Sequence, residues 1–190
     1  MIKRAAEFAY KAHQGAVRKG TNIPYITHPL ETAVITAMMT DDEELIAASL
    51  LHDTMEDAGV SFEELKDQFG ARVAGLVAEE SEDKSKSWLE RKGSTLTHLK
   101  AAGRDTKVLT LADKLSNIRS MARDYMLVGE KLWQRFNVKE KEKHAWYYNS
   151  MIELLEELSD FPEYQEYAAL CRRVFGDTEA CRRPEWDLEL

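Results

Sequence analysis

The stretch Leu50-Leu51-His52-Asp53-Thr54-Met55-Glu56-Asp57 decides the fold. Apolar residues run directly into four side chains that can bind protons or a metal ion. The lead-in, with Leu45, Ala48 and Leu51 at three-residue steps, predicts a helix. A four-residue offset puts His52 and Glu56 on one helical face, with Asp53 and Asp57 beside them. A neutral imidazole next to a carboxylate can ligate one divalent ion. Two more carboxylates one turn later stand where a base or a water-orienting group is needed. The same eight residues also suit a helix end that turns acidic where it meets solvent, so the rest of the chain has to arbitrate.

Working outward, the periodicity is helical nearly throughout. Phe8, Ala9, Ala12 and His13 form the stripe of a first helix. Gly15 and Gly20 bracket the basic loop AVRKG, and Pro29 predicts the opening of a second helix, with Leu30, Ala33, Val34, Ala37 and Met38 at helical steps. Asp41 with Glu44 and Ser61 with Glu64 have capping-box spacing. Further helices are expected over Ala71 to Glu80, Leu89 to Leu99, Lys107 to Arg123, Val138 to Leu158, and from near Pro162 to Phe175. Ser81 to Ser87 reads as a loop and Ala101 to Asp105 as a turn. No stretch alternates like a strand, so the expected fold class is all-α. The expected organisation is one domain over residues 1–175 and a loosely held tail over 176–190.

The composition, 44% hydrophobic and 32% charged over 190 residues, belongs to an ordinary globular chain. No apolar run is long enough to cross a bilayer, and MIKRAAEFAYKAH reads as the first turns of a helix, not a signal peptide. A net charge of −8 argues against a nucleic-acid partner, although a local basic cluster or a metal ion can still hold one small polyphosphate. Cys171 and Cys181 lack metal-ligand spacing and read as idle thiols of a cytoplasmic protein. The expected partner is a small nucleotide, with no nucleic acid and no membrane. Nothing in the sequence implies a particular oligomeric state.

Three other segments carry candidate chemistry. In Tyr25-Ile26-Thr27-His28-Pro29, His28 is either a simple helix cap or a ligand aimed from a proline-bounded turn. In Val108-Leu109-Thr110-Leu111-Ala112-Asp113-Lys114-Leu115-Ser116-Asn117, Asp113 interrupts an apolar face, where a carboxylate is costly unless paired or metal-bound. A salt bridge to Lys114 or Arg119 is the plainer account of it, and Asn117 shares its face one turn on. Arg18-Lys19 is either a solvated pair or a nucleotide contact, since a guanidinium can stack on a base and fork to phosphate oxygens.

Together and in this order, AHQGAVRKGTNIPYITHP, LLHDTMED and LTLADKLSNIR resemble the hydrolase domain of the RelA/SpoT family over about residues 5 to 123. SEDKSKSWLERK and the WYY at 146–148 are similar to the stand-alone small alarmone hydrolases of that family, of the animal SpoT-homologue type. The resemblance implies an all-helical HD bundle, with a metal, usually manganese (Mn2+), held by His28, His52, Asp53 and Asp113. It implies Glu56 and Asp57 as the catalytic acidic pair, and Arg18, Lys19, Asn117, Tyr147 and Lys143 as substrate contacts. Lys84, Arg91 and Lys92 would meet the distal phosphates. The implied reaction removes the 3′-pyrophosphate of ppGpp or pppGpp. The alternatives are another nucleotide, such as ppApp or the 2′-phosphate of NADPH, a silent nucleotide sensor, or a helical scaffold without chemistry. His13, His98 and His144 stay outside the expected metal set. Ala16, Gly20 and Ser116 depart from the family pattern. The chain has no room for the synthetase and regulatory domains of the long members, so hydrolysis alone is expected.

Overall fold

In a computed structural model, which describes residues 1–176, the chain forms α1 (Ile2–Ala12), α2 (Thr27–Met39), α3 (Glu43–Leu51), α4 (Thr54–Ala58), α5 (Phe62–Phe69), α6 (Ala71–Glu80), α7 (Trp88–Ala101), α8 (Arg104–Val128), α9 (Lys141–Leu154) and α10 (Pro162–Phe175). Short 3₁₀ turns at Gly129–Arg135 and Glu156–Leu158 flank α9. Among the described residues there is no strand, only an isolated bridge between Val17 and Pro24 in the α1–α2 loop. The expected tail beyond Gly176, with Cys181, lies outside the described residues. Cys171 is a buried free thiol.

Helix α8 is the axis. It is buried almost all round from Thr106 to Ile118, and α2, α3, α6 and α10 pack against it. A helix that is apolar on every side has to lie in the middle of a bundle. The polar residues it carries there, Asp113 and Ser116, are therefore forced into the interior.

Local signals set the helix ends, with some slips. The cap of α3 is Asp42, one residue later than the Asp41 expected. Its side chain accepts from the backbone N–H groups of Glu44 and Leu45, and with Leu45 at the third helical position there is no reciprocal box. Ser61 accepts from the Glu64 N–H as its spacing predicts. A full capping box joins Ser87 and Glu90 at the start of α7. The Val138–Leu158 segment is shorter as a regular helix than expected, since the chain tightens after Leu154. The expected helix through Leu51 and His52 also breaks: α3 stops at Leu51 and α4 begins at Thr54, leaving His52 and Asp53 at a bend.

Of the apolar stripe expected on α2, Ala33 is buried but the rest points outward. Leu30, Val34 and Met38 are 43%, 60% and 65% exposed, while Ile35 and Met39 are buried with Thr32 and Thr36. Residues four apart share a helical face, so an inward His28 commits positions 32, 35, 36 and 39 inward as well. The hydroxyls of Thr32 and Thr36 each donate to the carbonyl one turn back, at 3.0 Å, which makes their burial tolerable.

Candidate active site

Four side chains from three places converge on one gap. His28 comes from the first turn of α2, His52 and Asp53 from the α3–α4 bend, and Asp113 from the middle of α8. The Nε2 of His28 lies 3.1 Å from Asp113 Oδ1 and 3.5 Å from Asp53 Oδ2. The Nε2 of His52 lies 3.0 Å from Asp53 Oδ2 and 3.7 Å from Asp113 Oδ1. Atoms bound to a common ion at about 2.0–2.2 Å are spaced about 3.0–3.6 Å apart. His28, His52 and Asp113 each offer a donor atom within 4.8 Å of the other two, as ligands of one ion must, and Asp53 Oδ2 adjoins them through both imidazoles.

Hydrogen bonding explains which nitrogen faces the gap. His52 Nδ1 lies 2.8 Å from the Ser49 carbonyl, which can only accept, so Nδ1 carries the proton. In the neutral ring Nε2 is then a bare lone pair aimed at carboxylate oxygens, and it is buried with no hydrogen-bond partner. Such an arrangement calls for a positive charge in the gap. Burial opposes charging His52, yet Asp53 and Asp113 together push its pKa well up. Burial likewise disfavours the charged form of the two aspartates. The Lys114 ammonium and the imidazoles overrule it at Asp113, and His52 and His28 overrule it at Asp53, so both carboxyls stay well below the usual range. A proton or a divalent cation answers the same demand, and the two-imidazole, two-carboxylate donor set suits a transition ion.

Asp113 does two jobs with separate oxygens. Its Oδ2 is in an ion pair with Lys114, the plainer account of this residue. Its Oδ1 faces the histidines and accepts from Asn117 Nδ2 at 2.6 Å. Asn117 Oδ1 in turn accepts from Arg18 Nη2 at 2.9 Å, and the Arg18 guanidinium lies 5.7 Å from the Tyr25 ring centre. Arg119 takes no part at Asp113; it pairs with Glu166 and Glu31.

These groups line a cleft of about 1060 Å³. Glu56 and Asp57 both open onto it. Burial, then the neighbouring carboxylates of Glu82, Asp57 and Asp53, raise the Glu56 pKa, which strengthens it as a proton acceptor. Asp57 pairs with Lys84 at 2.7 Å. Arg18, Lys19, Lys84, Arg91 and Lys92 also line the cleft. Tyr147 and Lys143 do not. Tyr147 is buried among Trp88, Trp146 and Tyr148, with Lys92 Nζ 4.7 Å from its ring centre. Lys143 reaches Glu140 at 2.9 Å instead. Helix α9 turns its aromatic face into the core, so Tyr147 meets the cleft only indirectly, behind Trp88, Lys92 and Lys114, which line it. His13 is buried in the cleft wall, His98 is exposed on α7, and His144 lines the cleft while donating to the Val138 carbonyl at 2.9 Å.

Sequence reasoning passed over several cleft residues. Tyr25 donates to Asp53 Oδ2 at 2.6 Å. Glu82 bridges Arg91 and Lys92 at 2.6 and 2.8 Å, and Asp124 bridges Arg123 and Arg135 at 2.9 and 2.7 Å. In both clusters one carboxylate serves two cations, which leaves each cluster net positive inside an acidic protein. Glu80 also lines the cleft and accepts from Thr110 at 2.5 Å. Only Tyr25 had a local signal, its place within the YITHP turn. The bridging carboxylates reach Arg91, Lys92 and Arg135 at 9 to 11 residues' remove, a spacing that matches no helical contact.

Residues 5–137 match the HD domain family. The chain belongs to that family. A relative from Xenopus tropicalis, named guanosine-3′,5′-bis(diphosphate) 3′-pyrophosphohydrolase MESH1, is 38% identical over 126 residues, which are 65% of this chain and 70% of that one. A guanosine-3′,5′-bis(diphosphate) 3′-pyrophosphohydrolase from Aquifex aeolicus is 40% identical over 123 residues, 63% of this chain and 18% of that longer one. Among solved structures, a metazoan SpoT ortholog described as hydrolysing ppGpp superposes with a TM-score of 0.76 at 25% identity, covering 90% of this chain and 94% of that one. The sequence motifs of residues 5 to 123 fall inside the matched HD region.

Proposed function

We propose that this chain is a metal-dependent hydrolase that removes pyrophosphate from the 3′ position of ppGpp or pppGpp, leaving GDP or GTP. The carrying observation is the gap between buried His28, His52 and Asp113 and half-buried Asp53, with Glu56 and Asp57 on the same cleft. The names of its HD relatives supply the substrate. The active unit is the single domain over residues 1–175, and its setting is cytoplasmic. Among the described residues no helix is long and apolar enough to cross a membrane.

His28, His52, Asp53 and Asp113 would hold the ion; two nitrogen and two carboxylate donors accept manganese, zinc or iron alike, and the family resemblance selects manganese among them. Lewis acidity and charge neutralisation at the phosphoryl oxygens come from that ion when bound. Glu56, with Asp57 beside it, orients a water and takes its proton as the water oxygen adds to the phosphorus next to the 3′ oxygen. The bond from that phosphorus to the 3′ oxygen breaks, and the 3′ oxygen takes up the proton that Glu56 accepted. Arg18 and Lys19 lie along the base and ribose, with Asn117 steadying Arg18. The cluster around Glu82 presents Lys92 and Arg91, with Lys84 nearby, to the pyrophosphate. Neutralising a transferred pyrophosphoryl group of this charge needs several cations, and these three line the cleft.

The test is a manganese-supplemented assay offering ppGpp, pppGpp, ppApp and NADPH side by side, with Asp53→Ala as control. Pyrophosphate and GDP from ppGpp, abolished in the variant, are the expected products. Orthophosphate from NADPH alone would move the substrate, and no turnover of any of the four would end the enzymatic reading.

A further inference from the structure

The second nitrogen of His28 faces away from the gap into a chain of polar groups that the reaction itself does not use. His28 Nδ1 lies 2.8 Å from Ser116 Oγ, and Ser116 Oγ donates to Glu31 Oε2 at 2.8 Å. Glu31 is held by Arg119 at 3.2 Å, and Arg119 forks onto Glu166 of α10 at 2.6 and 2.7 Å. Ser116 is fully buried.

The direction of this chain follows from counting protons. A serine hydroxyl has one. The Glu31 carboxylate, beside a guanidinium, has none to give, so the Ser116 proton goes to Glu31. The only remaining role for Ser116 toward His28 is acceptor. His28 must then carry its proton on Nδ1, which leaves the Nε2 lone pair free to face Asp53 and Asp113 in the gap. His52 is set in the same state by a main-chain carbonyl. His28 has no such carbonyl, and a side-chain relay does the work.

We propose that Ser116 and Glu31 are positioning residues that fix the ligating tautomer of His28 and thereby set the metal affinity of this site. The proposal rests on the metal site of the function given above, not on its substrate. Without the Glu31 acceptor, the Ser116 hydroxyl is free to turn and donate to His28 Nδ1. That moves the imidazole proton to Nε2, where it blocks ligation. Partners of this kind typically govern metal affinity by about 10- to 100-fold.

The experiment compares Glu31→Leu, Glu31→Gln and Ser116→Ala as purified metal-free proteins. Mn2+ affinity is read from the free-ion electron paramagnetic resonance signal, and the His28 tautomer from long-range 1H–15N spectra. Thermal unfolding of the metal-free proteins checks the fold. Glu31→Leu should bind Mn2+ about 10- to 100-fold more weakly and shift His28 toward the Nε2–H form. Glu31→Gln, whose amide oxygen still accepts from Ser116, should stay within about threefold of wild type. Ser116→Ala should weaken binding while leaving the Arg119–Glu166 pair in place. Wild-type Mn2+ affinity in Glu31→Leu, an unchanged His28 tautomer there, or equal losses in Glu31→Gln and Glu31→Leu would overturn the relay. None of these readouts uses a nucleotide, so a failure of the ppGpp assay leaves this test intact.

Discussion

The Tyr25 hydroxyl donates to Asp53 Oδ2 at 2.6 Å, and that same oxygen lies 3.0 Å from His52 Nε2 and 3.5 Å from His28 Nε2. One phenol therefore aims the carboxylate that faces both imidazoles. Burial, then the neighbouring Asp53, raises the Tyr25 pKa, so the hydroxyl keeps its proton and remains a donor. Tyr25→Phe should weaken Mn2+ binding by about tenfold or more and lower turnover at limiting metal, with partial recovery at high Mn2+. Titration of the metal-free variant measures it; wild-type affinity would show that Asp53 needs no such support.

Metal removal should cost stability as well as activity. His28, His52 and Asp113 are buried, and His52 Nε2 has no hydrogen-bond partner. An ion that binds only the folded chain adds about 2.7 kcal/mol at a hundredfold excess over Kd. Scanning calorimetry with chelator and then with added Mn2+ should show Tm rising by several degrees. An identical Tm with and without transition ions would argue that the gap holds only a proton.

On the far side of α3, Arg72 Nη2 reaches Asp42 Oδ2 at 2.6 Å and Asp105 Oδ2 at 2.8 Å, while its Nη1 reaches Glu44 Oε2 at 2.7 Å. The hydrogen bond from Arg72 holds the Asp42 carboxyl at about 2, below its ordinary 3.8. Because the folded pKa is depressed, this stabilisation is complete above about pH 5 and is lost as the pH falls toward 2. Both side chains are a third or more exposed, so screening leaves about 1 kcal/mol or less. Arg72→Ala should raise the midpoint of acid unfolding, and 1 M salt should shrink the difference. Coincident acid-unfolding curves for the two proteins would remove the pair from the stability account.

The facing of α2 can be checked by two substitutions one residue apart. Ile35 is fully buried and Val34 is 60% exposed. Ile35→Ala should cost about 2–5 kcal/mol in urea unfolding, and Val34→Ala about 0.5 kcal/mol or less. The reverse order would restore the apolar stripe that Leu30, Val34 and Met38 spell in the sequence.

The α2 result shows where sequence reading stops. Helix spacing alone could not tell which of two apolar stripes faces inward, because Thr32 and Thr36 look like surface residues until His28 fixes the rotation. Tyr147 and Lys143 failed to reach the cleft wall for a similar reason. Their place in the chain says nothing of how α9 rolls against α7 and α10, and the aromatic core takes Tyr147. Pairs such as Glu82 with Arg91 and Lys92, or Asp124 with Arg135, were invisible because charged residues are common and any of them can pair across a fold.

What the sequence determined by itself was local: the helices, the Ser61 cap, the all-α class, and the His-Asp step followed by Glu56 and Asp57. Those features depend on residues within one or two turns, where backbone geometry allows few alternatives. Tertiary structure alone decided that His28, His52, Asp53 and Asp113 meet in one gap, that Ser116 Oγ lies against His28 Nδ1, and that basic clusters gather in an acidic protein. Residues 28 and 113 are joined only by how α2 and α3 pack on α8, and a buried charge has no stable place until such packing supplies its partners.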